Sequence, residues 1–280
     1  MVLIEAASSE AQELIPPSLF TEYPDISSFF RSLNIAPYDP TPRVYAGVGY
    51  RDTPIYALAV MLYLSRHLSG SYIVRSGGAE GAAMAFELAS NNRCEIFLPW
   101  RGFRSSTRDF INISDKVQRV SELIIDGKFI KNIPPIHNTE VLRRSKNESN
   151  LKLHRRNCNQ ILGCGLNNPV SFMVCWTDDK AITARMTTKD TGGTATAIKL
   201  ASHLSIEVFN LSRDQHLLRV MGMLRKHDPN IDDKIIRTIR HMKNNPSPWH
   251  ERSTKRENIS FDSEKIFNNK ISSRSMSMDM

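Results

Sequence analysis

The sequence predicts an α/β domain in which helices cover both faces of a parallel sheet. Short apolar runs typical of strands alternate with helical patterns through the middle of the chain. Glycine-bearing loops at 47–49, 76–78 and 191–194 each follow such a strand and precede a helix. Parallel strands need crossover connections, and repeated crossovers place helices on both sides of the sheet. The predicted fold is therefore Rossmann-like.

The individual elements follow from periodicity and local start and stop residues. Predicted strands occupy 44–49, 72–74, 94–98, 170–176 and 206–211. Thr53-Pro54 opens the first helix, and later helices are predicted at 79–90, 151–166, 195–204 and 214–226. Residues 100–150 are polar and irregular, with one helix-prone piece at 115–123. We expect this stretch to cross an edge or a face of the sheet.

The two ends of the chain differ from the middle, so we place the Rossmann-like domain at 43–225. Residues 1–42 carry six prolines and predict an irregular N-terminal arm. At 226–245 Asn230 could cap an amphipathic helix whose apolar side carries Ile231, Ile235, Ile239 and Met242. Residues 246–280 hold few large apolar side chains, which predicts a mostly disordered basic tail.

Composition limits the classes of function. The 280 residues include 37 Lys and Arg against 29 Asp and Glu, and this excess of +8 favours polyanionic partners. The four cysteines show no CxxC spacing and the eight histidines no zinc-binding cluster, so we expect neither disulfides nor a metal site. No apolar run reaches 18 residues and no basic leader opens the chain, so we expect a cytoplasmic protein without a membrane partner.

The three glycine loops predict an anion site. In a parallel sheet they emerge at the same carboxyl edge, where glycine allows close approach and helix N-termini offer unpaired N–H groups. Tight βα turns alone also explain any one of these loops. No complete GxGxxG fingerprint with an acidic ribose ligand occurs, nor any GxxxxGK[ST], which disfavours ordinary dinucleotide and P-loop sites.

Five motifs in order resemble the SLOG superfamily of nucleotide-binding Rossmann-like proteins. They are GYRDTP, RSGGAEGAAMAFE, LHRRNCNQILG, VCWTDD, and TGGTATAIKLA with the following IEVFNL. The similarity spans about 43–212 and is closest to phage-encoded members similar to the DNA-processing protein A recombination mediators. For a phage-encoded protein the expected location is the host cytoplasm.

The resemblance implies a nucleotide pocket and its residues. Tyr50 and Ala82 depart from the small hydroxyl and acidic residues usual at their positions. Trp176 could stack on a base, although a tryptophan at a strand end is more often core. The implied nucleotide-binding residues are Gly47, Gly49, Arg51, Ser76, Gly77, Gly78, Glu80, Gly81, Arg156, Asn157, Thr177, Asp178, Thr191, Gly192, Gly193 and Thr194.

Phosphoribohydrolases of the same superfamily resemble a GGxGTxxE pattern in the last loop. Here Ala195 replaces the third glycine and Lys199 replaces the glutamate. An ammonium cannot serve as the carboxylate that stabilises an oxocarbenium ion or activates water. Glu80 or Glu87 could substitute, but we expect binding without catalysis, no catalytic residue and no cofactor.

The main functional hypothesis is a protein that senses or sequesters a nucleotide-derived small molecule. The alternative is a recombination mediator that holds single-stranded DNA along a basic phosphate track of Arg143, Arg144, Lys152 and Arg155. A nucleoside monophosphate phosphoribohydrolase and an inactive scaffold are further alternatives. Solvated charge also explains each basic residue, and the sequence leaves homo-oligomer formation open.

Overall fold

The computed structural model describes residues 43–103, 110–130, 133–144 and 148–244. For residues 141, 143 and 144 within these ranges, it describes the backbone only. The predicted N-terminal arm at 1–42 and tail at 246–280 lie outside these described residues.

Five parallel strands form one sheet, as predicted. They are β1 (Arg43–Gly47), β2 (Tyr72–Ser76), β3 (Cys94–Ile96), β4 (Phe172–Cys175) and β5 (Glu207–Asn210), in the order β3-β2-β1-β4-β5. In register, Ala46 of β1 is paired with Arg75 on one side and Met173 on the other. From β1 the chain adds β2 and β3 on one side of the sheet, and β4 and β5 lie on the other side of β1. The loops that follow these two central strands diverge and leave a crevice, the usual ligand site of open α/β sheets.

Helices cover the sheet between and after the strands. Their bounds are α1 (Ile55–Leu68), α2 (Ala82–Ala89), α3 (Asp115–Ile125), α4 (Thr139–Arg144), α5 (Glu148–Leu162), α6 (Ala195–His203), α7 (Asp214–His227) and α8 (Ile231–Asn244). Ser114 caps α3 by accepting a hydrogen bond from the Val117 N–H. We expected one helix between 100 and 150, and α4 is a second one whose six residues are too few to show a periodic pattern.

Alternating strand side chains pack into separate cores on the two faces of the sheet. Ala46 and Met173 lie in the core under α3, α5 and α6. Tyr45 and Val174 lie in the core under α1, α2, α7 and α8. This period of two is what a sheet buried on both faces requires. The predicted fold class is confirmed.

Helix α8 belongs to the second of these cores. Its apolar side buries Ile231, Ile235, Ile239 and Met242 and packs against α1. Each such side chain stabilises the fold by roughly 1.5–3 kcal/mol relative to exposure. Trp176 lies in the same core and is 7% exposed. Across the described residues, no helix combines the length and apolar character needed to span a membrane.

Candidate functional site

A cleft of about 500 Å³ opens at the carboxyl edge of the sheet, where the loops after β1 and β4 diverge. Its walls come from the first loop, from α5 and from the end of the third loop. It is lined by Val48, Gly49, Tyr50, Arg51, Asp52, Ala79, Phe103, Asn150, Leu153, His154, Arg156, Asn157, Gly192, Gly193 and Thr194.

Seven of the implied nucleotide-binding residues line this cleft. They are Gly49, Arg51, Arg156, Asn157, Gly192, Gly193 and Thr194. The other nine belong to the same loops without lining it: Gly47, Ser76, Gly77, Gly78, Glu80, Gly81, Thr177, Asp178 and Thr191. Ser76, Thr177 and Thr191 are fully buried. Within this set, Arg156 and Asn157 form side-chain hydrogen bonds that connect separate loops.

Arg156 and Asn157 of α5 link the second and third glycine loops. Arg156 Nη1 donates to the Gly77 carbonyl at 2.7 Å, and its Nε and Nη2 donate to Asn157 Oδ1 at 3.2 and 2.9 Å. Asn157 Nδ2 in turn donates to the Gly193 carbonyl at 2.6 Å. A methyl group at Gly77 would lie 2.5 Å from Arg156 Nη1, so this contact needs glycine. The pair therefore fixes both loops against α5.

The charge of Arg156 has no counter-ion in direct contact among the described residues. Burial lowers its pKa to about 10, with Glu87 opposing that shift, so the guanidinium remains protonated at neutral pH. The Glu87 carboxylate itself accepts hydrogen bonds from the Ser76 hydroxyl at 2.5 Å and the Gly78 N–H at 3.1 Å. Three of the five guanidinium N–H groups are used by the bonds described above. Two donors on a partly buried cation remain for a ligand.

Asp52 supplies an acceptor on the first loop. Its Oδ1 is buried and accepts no hydrogen bond from any described residue. The Asp52 residue also lines the cleft. Asp52 was not among the predicted site residues, although it directly follows Arg51 in the first motif.

Tyr50 closes the opposite side of the cleft. A methyl group at Gly192 would lie 2.8 Å from the Tyr50 ring, so the first and third loops are in contact here. Gly192 has a φ of +58°, in the left-handed region that favours glycine. Gly193 differs, because a methyl group there would meet no atom within 4 Å. The Gly193 position thus faces open space in the cleft.

Asp179 holds the segment before the third loop, a role that we had not predicted. Its carboxylate accepts hydrogen bonds from the hydroxyls of Thr177 at 2.8 Å, Thr188 at 2.9 Å and Thr191. Burial alone would raise the pKa of Asp179, but these bonds outweigh it and lower that pKa. Asp178, the predicted site residue, is exposed. The threonines thus act through Asp179 to shape the loop.

Two histidines meet a buried threonine at the edge of the cleft. His137 Nε2 and His154 Nδ1 lie 3.0 and 2.5 Å from Thr196 Oγ1, and the two rings are 4.4 Å apart. Burial lowers the pKa of both histidines to about 4, and Lys199 adds to this in each case. Both rings are therefore neutral at pH 7. Lys199 donates to the Ile136 carbonyl at 3.1 Å.

Two residues of the predicted basic track have acidic partners. Arg155 forms an ion pair with Glu122, and both side chains are largely buried. Lys152 forms an ion pair with Glu148 at 3.3 Å, and the Glu148 side chain is exposed. The side chains of Arg143 and Arg144 lie outside the described residues. Among described residues no group of three or more His, Cys, Asp or Glu is placed to hold a metal ion.

Comparisons with known proteins give one structural likeness. No protein-family model matches the chain, and no curated protein matches it. A solved structure of DNA processing protein A from Helicobacter pylori, determined to explain its single-stranded DNA binding mode, matches with 14% identity and a TM-score of 0.30. The match covers 67% of this chain and 82% of that one. At this level of similarity the likeness carries no functional conclusion for this chain.

Proposed function

We propose that the cleft binds a nucleotide or a nucleotide-derived ligand, and that the protein senses or sequesters this ligand. The observation that carries the proposal is the Arg156 guanidinium, which is partly buried at the switch between β1 and β4 without an ion pair among the described residues. A buried charge is expensive unless it is paired. A phosphate that accepts its two remaining N–H groups would complete the pairing.

Size and chemistry favour a nucleotide over inorganic phosphate. The volume of about 500 Å³ lies within the range of roughly 300–1,000 Å³ typical of small-molecule sites. Tyr50, Phe103 and Leu153 add ring and aliphatic surface beside the cationic wall. A ligand with a planar base and a phosphate fits both kinds of surface.

The Asp52 carboxylate supports a ribonucleotide in particular. Asp52 lines the cleft, and its carboxylate is an acceptor for which ribose hydroxyls are suitable donors. A site built to accept a hydroxyl discriminates strongly against an analogue that lacks it. We therefore expect AMP to bind more tightly than 2′-deoxy-AMP, and Asp52→Asn to reduce that difference.

The experiment that tests the proposal has two parts. Purified protein is denatured and the released small molecules are identified by mass spectrometry, and AMP is then titrated into ligand-free protein by calorimetry. A co-purified nucleotide, or AMP binding that protects the fold against heat, is expected. The absence of both, extended to ADP and ATP, would refute the proposal.

Binding without hydrolysis is the expected mode. Lys199 occupies the position of the hydrolase glutamate in the resembling pattern, and its ammonium is held by a carbonyl. Nucleoside monophosphates should therefore persist during long incubation with the protein. Chromatographic release of free base that is lost in Glu80→Gln would instead indicate a phosphoribohydrolase.

The alternative is a single-stranded DNA mediator. A phosphate track requires basic side chains free to reach the strand, and Arg155 and Lys152 both have acidic partners. Surface pairs such as Lys152–Glu148 exchange readily, so this arrangement disfavours the track without forbidding it. The salt dependence of single-stranded DNA binding decides between the two proposals.

A further inference from the structure

A second, smaller cavity of about 140 Å³ adjoins the cleft behind Arg156. It lies between the segment after β3, the segment before α3 and the outer side of α5. Arg156 lines both spaces.

The cavity carries positive charge. Of the described residues that line it, four are Arg or Lys and none is Asp or Glu. Two of these cations have acidic partners, since Arg155 pairs with Glu122 and Lys152 with Glu148. Arg101 is exposed and forms no ion pair with a described residue, so it is the cation available to a second phosphate.

The cavity is also aromatic. Trp100 lines it and is 39% exposed, so part of its ring is accessible. The Trp100 ring meets Phe103 edge-on at 4.9 Å, and Phe103 lines the main cleft. The two rings thus form a continuous aromatic wall from one space to the other. Exposed rings beside cations are surfaces on which nucleic-acid bases stack.

We propose that the ligand is a dinucleotide, whose first nucleotide occupies the cleft and whose second base stacks on Trp100 with its phosphate beside Arg101. This assignment rests on the proposed function of the cleft. It explains why Arg156 lines both spaces: the phosphodiester between the two units would lie against it. A mononucleotide would leave the Trp100 cavity empty.

The test compares AMP with the linear dinucleotide pApA by calorimetry on wild type, Trp100→Ala and Arg101→Gln. We expect pApA to bind wild type about tenfold more tightly than AMP, and both variants to lose most of that advantage while AMP affinity stays within twofold. Arg101 is exposed, so Arg101→Gln keeps the proposal testable if Trp100→Ala fails to fold. Leu88→Ala is the matched control, since Leu88 is an exposed apolar residue that lines neither space.

The outcomes separate this proposal from the function of the cleft. Equal affinities for AMP and pApA, with AMP binding intact, would overturn the dinucleotide while leaving the nucleotide site standing. Absence of binding for every nucleotide would overturn both. A six-nucleotide strand that binds at least tenfold more tightly than pApA would replace the dinucleotide by a single-stranded DNA or RNA track.

Discussion

Substituting valine at Gly193 separates ligand binding from folding. A methyl group at this position meets no atom within 4 Å, and the Gly193 φ is not in the left-handed region. The Gly193 carbonyl keeps its hydrogen bond from Asn157 whatever side chain is present. Because exposed positions of this kind usually change the free energy of unfolding by no more than about 0.5 kcal/mol, Gly193→Val should fold normally.

The effect on binding should be large. A phosphate or ribose that hydrogen-bonds to the loop backbone must approach within about 3 Å, and a branched side chain would occupy that space. Two charge-assisted hydrogen bonds contribute roughly 1.5–3 kcal/mol each. Losing both would weaken nucleotide affinity by more than about a hundredfold.

The assay is calorimetric titration of AMP and pApA, with urea denaturation of the same preparations. Gly222→Val is the matched control, because Gly222 is an exposed glycine of α7 that has open space around it and does not line the cleft. Gly78→Val would be a poor probe, since Gly78 has a φ of +62° and a methyl group there would lie 2.2 Å from Leu98. Unchanged nucleotide affinity in a folded Gly193→Val protein would refute the cleft as the binding site.

The remaining predictions concern stability, pH and salt. Arg155→Ala removes the cation that pairs with the buried Glu122 and should lower the free energy of unfolding by roughly 3 kcal/mol. Lys152→Ala removes a more exposed pair and should lower that free energy by less than about 1 kcal/mol in the same urea titration. The pKa values of His137 and His154 are about 4 in the folded protein, against the ordinary 6.5 in the unfolded chain. As the pH falls, the unfolded chain therefore takes up protons before the folded protein does. The contribution of the two histidines to the free energy of unfolding is thus fully present above about pH 6.5 and is lost as the pH drops toward 4. Solvent screening of these partly exposed rings reduces that loss to roughly 1–3 kcal/mol for the pair, and denaturation curves with no pH dependence over this window would contradict it. For single-stranded DNA, we expect binding to vanish near physiological salt. The mediator alternative would be established by a plot of log affinity against log salt concentration whose slope is steeper than about −2.8, the value for four phosphates. That slope should then become shallower in Lys152→Ala.

The parts of the fold that could be predicted are those with a local pattern. Alternating or continuous apolar runs located all five strands, and the 3.6-residue period located the long helices. Strand β2 shows the limit of this approach. The apolar run predicted this strand only over 72–74, yet Arg75 continues it, is 1% exposed and pairs with Glu95 of β3 at 2.5 Å. A charge neutralised by a neighbouring strand cannot be recognised from one strand alone.

The candidate site shows a similar division. Motif resemblance selected Arg156 and the three glycine loops, and Arg156 lines one cleft together with glycines of the first and third loops. It could not show that Asp179 binds three threonines or that His137 and His154 share Thr196, because those contacts join segments up to 59 residues apart. It also gave no reason to select Trp100, whose exposure depends on how the segment after β3 lies against α5. Contacts between distant segments are set by topology, and a single sequence carries no direct record of them.

The two roles of Arg156 make different demands on the side chain. Holding the loops requires only donors toward the Gly77 carbonyl and Asn157 Oδ1, and a neutral amide could supply them without the cost of a buried charge. The guanidinium retains that charge at neutral pH although burial opposes it. A charged group at this position is therefore more than loop support needs, and Arg156 lines both the cleft and the Trp100 cavity. In the function proposed above, the same residue fixes the loops before the ligand binds and then supplies the contact to its phosphate, which is the preorganisation that favours tight binding.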